Sequence, residues 1–208
     1  MERNRSDQGN LQKRLPSGAA VMRTDVTDAL VRAFFQEWAR TGYSGLSLER
    51  VARSAGVGKA ALYRRWPEKA AMASDLLSRV GLTITDVGAQ GSLEDDLKAT
   101  LFAIRRVLRH RVVRCILMDL HAEIGRAPAL EKAIRPFQRA RRERIDALIN
   151  RAIARGEVAS SIDRETAADL IAAPLYWRLA VLGGRSDRAH IEQLAKMIAA
   201  ALRVHRRF

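Results

Sequence analysis

Cys115 is the only cysteine among the 208 residues. No disulfide can form within one chain, and a reducing, cytoplasmic setting is expected. The thiol lies in VVRCILM, a context for a small buried apolar residue rather than a reactive one. Catalytic signatures are missing too. The histidines at 110, 121, 190 and 205 have neither HExxH spacing nor cysteine partners, and GxSxG and a phosphate loop are absent. His121 and Glu123 stand two apart, which sends them to different faces of a helix. An enzyme, a metal site and a bound cofactor are therefore not expected. The one stretch that tempts a membrane reading, AADLIAAPLYWRLAVLGG, contains Asp169, Pro174 and Arg178 and ends in two glycines. It reads as an interface helix, and the polar start MERNRSDQGN does not read as a signal peptide.

Acidic residues are the scarcer charge. Asp plus Glu number 23 against 37 Lys plus Arg, a net charge of +14 with a pI near 11.1. That balance favours a polyanion as partner, although charge alone gives affinity and not sequence preference.

Specificity has to come from a motif, and SLERVARSAGVGKAALYRRWPEK, residues 47–69, supplies one. Ser47 can cap a helix that starts at Leu48, with Glu49 favourably placed in its first turn and Leu46 able to staple onto Val51. Arg at position 50 means that the reciprocal capping box is incomplete. Leu48, Val51, Ala52 and Ala55 form the apolar side, and Gly56 ends the helix. A second short helix is predicted over Lys59–Arg65, because Trp66 precedes Pro67 and proline disfavours helical geometry before it. Leu62 and Trp66 are its inward pair. Lys59, Ala60, Tyr63 and Arg64 point elsewhere, and small Ala60 and Ala61 let the backbone approach a groove. Two short helices joined by a tight glycine corner are the plan of a device that reads DNA. Lys69 adds a hint, since a cation in the first turn of a helix opposes the macrodipole and calls for an outside reason such as a phosphate.

Around this motif the pattern is all-α. Residues 1–24 read as a disordered basic arm. A helix over about residues 25–41 carries Leu30, Phe34 and Trp38 at successive fours. Pro67 opens a fourth helix reaching Val80, and residues 81–91 read as the loop that divides a DNA-binding domain, 25–80, from a second domain, 81–208. Ser92 caps the next helix, Pro136 is expected to split or bend a long one that ends at Gly156, and the last two are expected over about 164–182 and 188–204. These last two are apolar over more of their circumference than a lone surface helix needs. Pro174, Leu175, Trp177, Leu194, Ile198 and Leu202 are the residues expected to pair with a second copy. A two-fold dimer places two reading heads about 34 Å apart and requires a roughly palindromic site on double-stranded DNA.

The segment EWARTGYSGLSLERVARSAGVGKAALYRRWPEKAAM resembles the N-terminal domain of the TetR family of transcriptional regulators. The resemblance spans about residues 26–80 and includes Gly42-Tyr43, Val51-Ala52, Ala55-Gly56-Val57, Leu62-Tyr63, Trp66 and Lys69. It implies an all-helical dimer of about nine helices, with Ser47, Lys59, Ala61, Tyr63, Arg64 and Lys69 facing DNA, mostly its phosphates. Gly58 replaces a small hydroxyl residue, and Arg64-Arg65-Trp66 replaces a His-Phe ending, which bears on the operator sequence rather than the mode of binding. The resemblance also implies a C-terminal pocket whose small-molecule effector lowers operator affinity. Candidate lining residues are Phe102, Arg105, Leu108, Leu117, Met118, His121, Phe137 and Tyr176, the larger or polar members of core-like stripes. Residues 105–114, with their arginines and His110, could instead form a solvated or DNA-adjacent surface. The competing classes are a nonspecific architectural DNA binder and, with less support, a helical enzyme.

Overall fold

The computed structural model describes residues 18–84 and 87–204, with side-chain burial for 26–79 and 87–203. Among these residues there are nine α-helices, one short π-helical segment and no strand. Helix α1 spans Gly18–Gly45, α2 Leu48–Ser54, α3 Lys59–Arg65 and α4 Lys69–Ile84. The second half holds α5 Leu93–Leu108, α6 Arg111–Ile124, α7 Pro128–Ala154, α8 Arg164–Tyr176, the π segment Trp177–Val181 and α9 Arg188–Val204. No helix among the described residues is long and apolar enough to cross a membrane.

Local signals account for most boundaries. The Ser47, Ser92 and Asp163 side chains each accept a backbone N–H in the first turn of the helix they precede. After α2, Gly56 adopts φ 67° and the Val57 N–H reaches back to the Ala52 carbonyl at 2.9 Å, a left-handed C-terminal cap. Three expectations need correction. Helix α4 runs on to Ile84, so residues 81–84 of the expected loop are helical. Helix α1 begins at Gly18, so residues 18–24 of the expected arm are helical; residues 1–17 lie outside the described residues. Helix α7 runs unbroken through Pro136. The missing proline N–H leaves the Lys132 carbonyl without its helical donor, but both residues are exposed and water can take that place.

Two cores form, and they do not divide the chain at residue 80. The first joins Leu30, Phe34 and Trp38 of α1, Val51 of α2, Leu62 of α3 and Leu76 of α4 to Ile116 and Leu120 of α6 and Leu130, Ile134 and Phe137 of α7. The second lies within α5, the C-terminal part of α7, α8, the π segment and α9. The reading head therefore takes part of its interior from the second half of the chain. Helices α4 and α7, α1 and α6, and α5 and α9 make the most extensive pairings.

Beyond Tyr176 the backbone widens. Pro174 has no N–H for the Leu170 carbonyl, and within three residues the ladder changes, with the Leu182 N–H bonding the Trp177 carbonyl five residues back at 2.9 Å. The expected single helix over 164–182 is thus an α-helix followed by a π turn.

Candidate nucleic-acid interface

Helix α3 is held from beneath. Leu62 is 1% and Trp66 3% exposed, and the Trp66 indole N–H donates to Asp75 of α4 at 3.1 Å. The Arg65 guanidinium lies 4.2 Å from the centre of the Trp66 ring and 4.0 Å from the Asp75 carboxylate, so this arginine is engaged in holding the helix end. On the outer side Lys59, Ala60, Ala61 and Arg64 are exposed, while Tyr63 is half-buried against the first core. The Lys59 ammonium is ion-paired with Glu49 of α2 and lies 5.8 Å from the Tyr63 ring centre. The hydrogen bond and charge of Glu49 raise the lysine pKa, and those of Lys59 lower the carboxylate. Because both groups are exposed, the pair is a weak latch that an incoming phosphate can compete with.

Helix α2 is tied to α1 through a buried carboxylate. Glu37 is 8% exposed and accepts from Arg40 at 2.8 Å and Arg50 at 2.5 Å, and a second Arg50 nitrogen donates to the Gly45 carbonyl at 2.6 Å. Burial pushes the Glu37 pKa up, but the hydrogen bonds and charges of Arg40 and Arg50 outweigh it, and the carboxyl ends below its ordinary range. The residue that spoils the capping box therefore serves as a strut. Ser47 caps α2 through the Arg50 N–H, at 3.4 Å, and is half-buried.

Lys69 has an internal reason for its position. Its ammonium donates to the carbonyls of Tyr43 at 2.7 Å and Ser44 at 3.0 Å and sits 4.5 Å from the Tyr43 ring centre. It thus caps the carbonyl-rich end of α1, where a cation is favoured, and the inference of a phosphate from its helix position alone no longer holds. Burial, assisted by Glu68 and Glu123, pushes the Tyr43 hydroxyl up to about 12.

The end of α1 is also gripped from the second half. At Gly42 the backbone turns to φ 69° and ψ 169°, a region open essentially to glycine, and a β-carbon there would lie 2.9 Å from the Asp119 carboxylate of α6. One oxygen of Asp119 accepts both the Trp38 indole N–H at 2.6 Å and the Tyr43 backbone N–H at 2.7 Å. Nothing in the local sequence marks Asp119, because its partners lie more than seventy residues away.

The candidate effector residues are dispersed. Leu108 and Phe137 are core, Phe102 and Leu117 pack against the second core, and the Arg105 guanidinium donates to the Ser186 carbonyl ahead of α9. Met118, His121 and Tyr176 come together: the Tyr176 hydroxyl is 3.2 Å from His121 Nδ1 and 3.7 Å from the Met118 sulfur, and the Leu117 carbonyl is 2.5 Å from the same His121 nitrogen. A cavity of about 140 Å³ opens elsewhere, between α5, α7 and α8, and none of the eight lines it. Its α7 wall is Arg141, Arg144, Ile145, Leu148 and Arg151, spaced at three and four along the helix, with Ala147 beside them. That mixed arginine and isoleucine spacing was the available signal; basic residues on an amphipathic helix read as a solvated side. Of the expected pairing residues, Leu175, Ile198 and Leu202 are buried in the chain's own core, Pro174 and Leu194 are half-buried, and Trp177 is 57% exposed. Exposed Val181, Leu182 and Met197 were not anticipated.

Comparison with known proteins agrees with the geometry. Residues 30–76 match the model of bacterial regulatory proteins of the tetR family, and residues 87–198 match the tetracyclin repressor-like C-terminal domain. The DNA-binding transcriptional repressor TetR of Mycobacteroides abscessus is 32% identical, with 84% of this chain and 92% of that protein aligned. An uncharacterized HTH-type transcriptional regulator of Bacillus subtilis, YdeS, is 26% identical over 80% of this chain and 84% of its own length. The crystal structure of the TetR family transcription regulator SCO0332 superposes with a TM-score of 0.66 at 25% identity, covering 85% of this chain and 97% of that one. With a helix-turn-helix whose basic side faces outward and matches over both halves, the chain belongs to the TetR family of DNA-binding transcriptional regulators and is not an enzyme.

Proposed function

We propose that the protein is a cytoplasmic, homodimeric repressor that holds a palindromic operator and lets it go when a small molecule enters its C-terminal half. The observation that carries this reading is the outward side of α3. Lys59, Ala60, Ala61 and Arg64 stand free of the core while Leu62 and Trp66 anchor the helix, so a short cationic rod can enter a major groove with its backbone close to the bases. Arg64 and Lys59 meet phosphates or base edges, Tyr63 offers its hydroxyl, and Ser47 and Lys69 flank the groove. The repressor sense is taken from the name of the relative from Mycobacteroides abscessus.

Dimerisation is supported by the exposed apolar side chains Trp177 of the π segment, Leu182 just after it and Met197 of α9. A two-fold contact there would set two heads on successive turns of one DNA face, about 34 Å apart. The test is footprinting against genomic fragments combined with light scattering. A single protected palindrome and a dimer are expected, and the double variant Trp177→Ser, Leu182→Ser should be monomeric and bind the operator roughly 100-fold or more weakly. Protection spread evenly over all fragments, with a steep salt dependence, would mean an architectural binder instead.

A further inference from the structure

The cavity between α5, α7 and α8 has an unusual wall. Three arginines, Arg141, Arg144 and Arg151, face it together with Thr100 of α5, and its remaining surface is aliphatic, Ile104 and Ile145 among it. None of the described residues lining it is acidic. Arg151 already leans on Asp96, 3.5 Å away, and Asp96 is shared with Arg155 at 3.0 Å. Arg141 has no such partner among the described residues. Its guanidinium lies 5.7 Å from the Phe137 ring centre, and the titratable group that acts on it is the Tyr176 hydroxyl.

Arg141 is exposed by surface area, yet it looks into the cavity, and desolvation by the surrounding protein lowers its pKa. A guanidinium at the mouth of a cavity, partly desolvated and without a carboxylate, gains charge-assisted hydrogen bonds from an incoming anion. Aliphatic walls make a compact, strongly hydrated anion a poor occupant, because they return nothing for its lost water. The volume of about 140 Å³ is close to that of the roughly 150 Å³ cavity known to take up benzene. One ring, or a chain of similar bulk, fits.

We infer that this cavity is the effector site and that its ligand is a small carboxylate with an apolar body, its carboxylate held by Arg141 and its body lying against Ile104 and Ile145. This rests on the effector-released repressor proposed above and narrows it to a chemical class. The site touches α7, the helix that pairs most extensively with α4, and α4 carries the Asp75 that braces Trp66 at the end of α3. A ligand that favours one position of α7 against α4 would shift the heads by its difference in affinity for the two positions.

The test uses the intact chain and three probes of graded chemistry: benzoate, the uncharged isostere benzamide, and inorganic phosphate. Calorimetry should show benzoate binding, with benzamide at least about tenfold weaker, as expected for loss of a charged hydrogen-bond partner, and phosphate not competing. Arg141→Gln should erase the preference for benzoate over benzamide, and Arg141→Lys should keep part of it. Equal binding of benzoate and benzamide by the unaltered protein, or displacement of benzoate by phosphate, overturns the assignment without any need of a variant. Operator release is read in parallel. Benzoate bound through Arg141 but leaving the operator in place would uphold the anion site and sink its role as effector site. Release by benzamide but not by benzoate would keep the effector response and sink the charge assignment.

Discussion

The two cores of this molecule are assembled on different plans. The second is closed within α5, α7, α8, the π segment and α9, whereas the first is unfinished until α6 and α7 supply Ile116, Leu120, Leu130, Ile134 and Phe137. A DNA-reading head built this way cannot be indifferent to changes in the C-terminal half. Its helices pack directly on the elements that also line the cavity and carry Tyr176's partners, so the same α6 that presents His121 to Tyr176 presents Asp119 to the end of α1.

The sharpest way to break this contrast is to cut the head's interior from the far side. Ile134 is fully buried and belongs to α7, and Ile134→Ala should cost about 2–5 kcal/mol. In a Trp177→Phe background the remaining tryptophans, Trp38 and Trp66, both report on the head, and their fluorescence transition in urea should move to lower denaturant with the helical circular dichroism signal. A head that keeps its transition would be a self-sufficient unit, and the comparison would collapse.

A smaller effect is expected at the grip itself. Asp119→Ala leaves the Trp38 and Tyr43 N–H groups without their acceptor, at about 1–3 kcal/mol for each donor that water does not reach. Gly42→Ala, which combines a disallowed φ with a 2.9 Å approach to the Asp119 carboxylate, should cost about 1–3 kcal/mol by strain. Both should also weaken operator binding, and a loss of melting temperature with unchanged affinity would confine Asp119 to a packing role.

The smallest effect concerns pH. The Glu37 carboxyl is held below its ordinary 4.5, so its contribution is complete above that value and fades as the pH falls through the lower folded value. The melting-temperature gap between the wild type and Glu37→Gln should therefore narrow below about pH 4.5. A gap of constant size would show that Arg40 and Arg50 contribute shape rather than charge.

Sequence made the head legible because its information is local. Ser47, Gly56, and Pro67 after Trp66 placed α2 and α3 at the ends observed, and the Leu62–Trp66 spacing named the buried pair. What it withheld is long-range. Lys69 meets the carbonyls of residues 43 and 44 and Asp119 meets Trp38, contacts no window of a few turns can contain. In the second half the same limit is more severe. Apolar periodicity says that Leu175, Ile198 and Leu202 face something, but the identity of the covering surface, own core or second copy, is a tertiary fact. Pro136 misled for another reason: at an exposed proline inside a helix water can serve as substitute donor, and the helix continues.

The widened turn after Pro174 has a geometric corollary. A helix advances about 100° per residue, so one surplus residue in the Trp177–Val181 turn rotates everything downstream by about that angle relative to a regular continuation. The compass bearing of Val181 and Leu182 is thereby uncoupled from that of Ala167, Ile171 and Leu175, which stay aimed inward. A lineage could re-aim this outer patch by gaining or losing a single residue there without touching its interior.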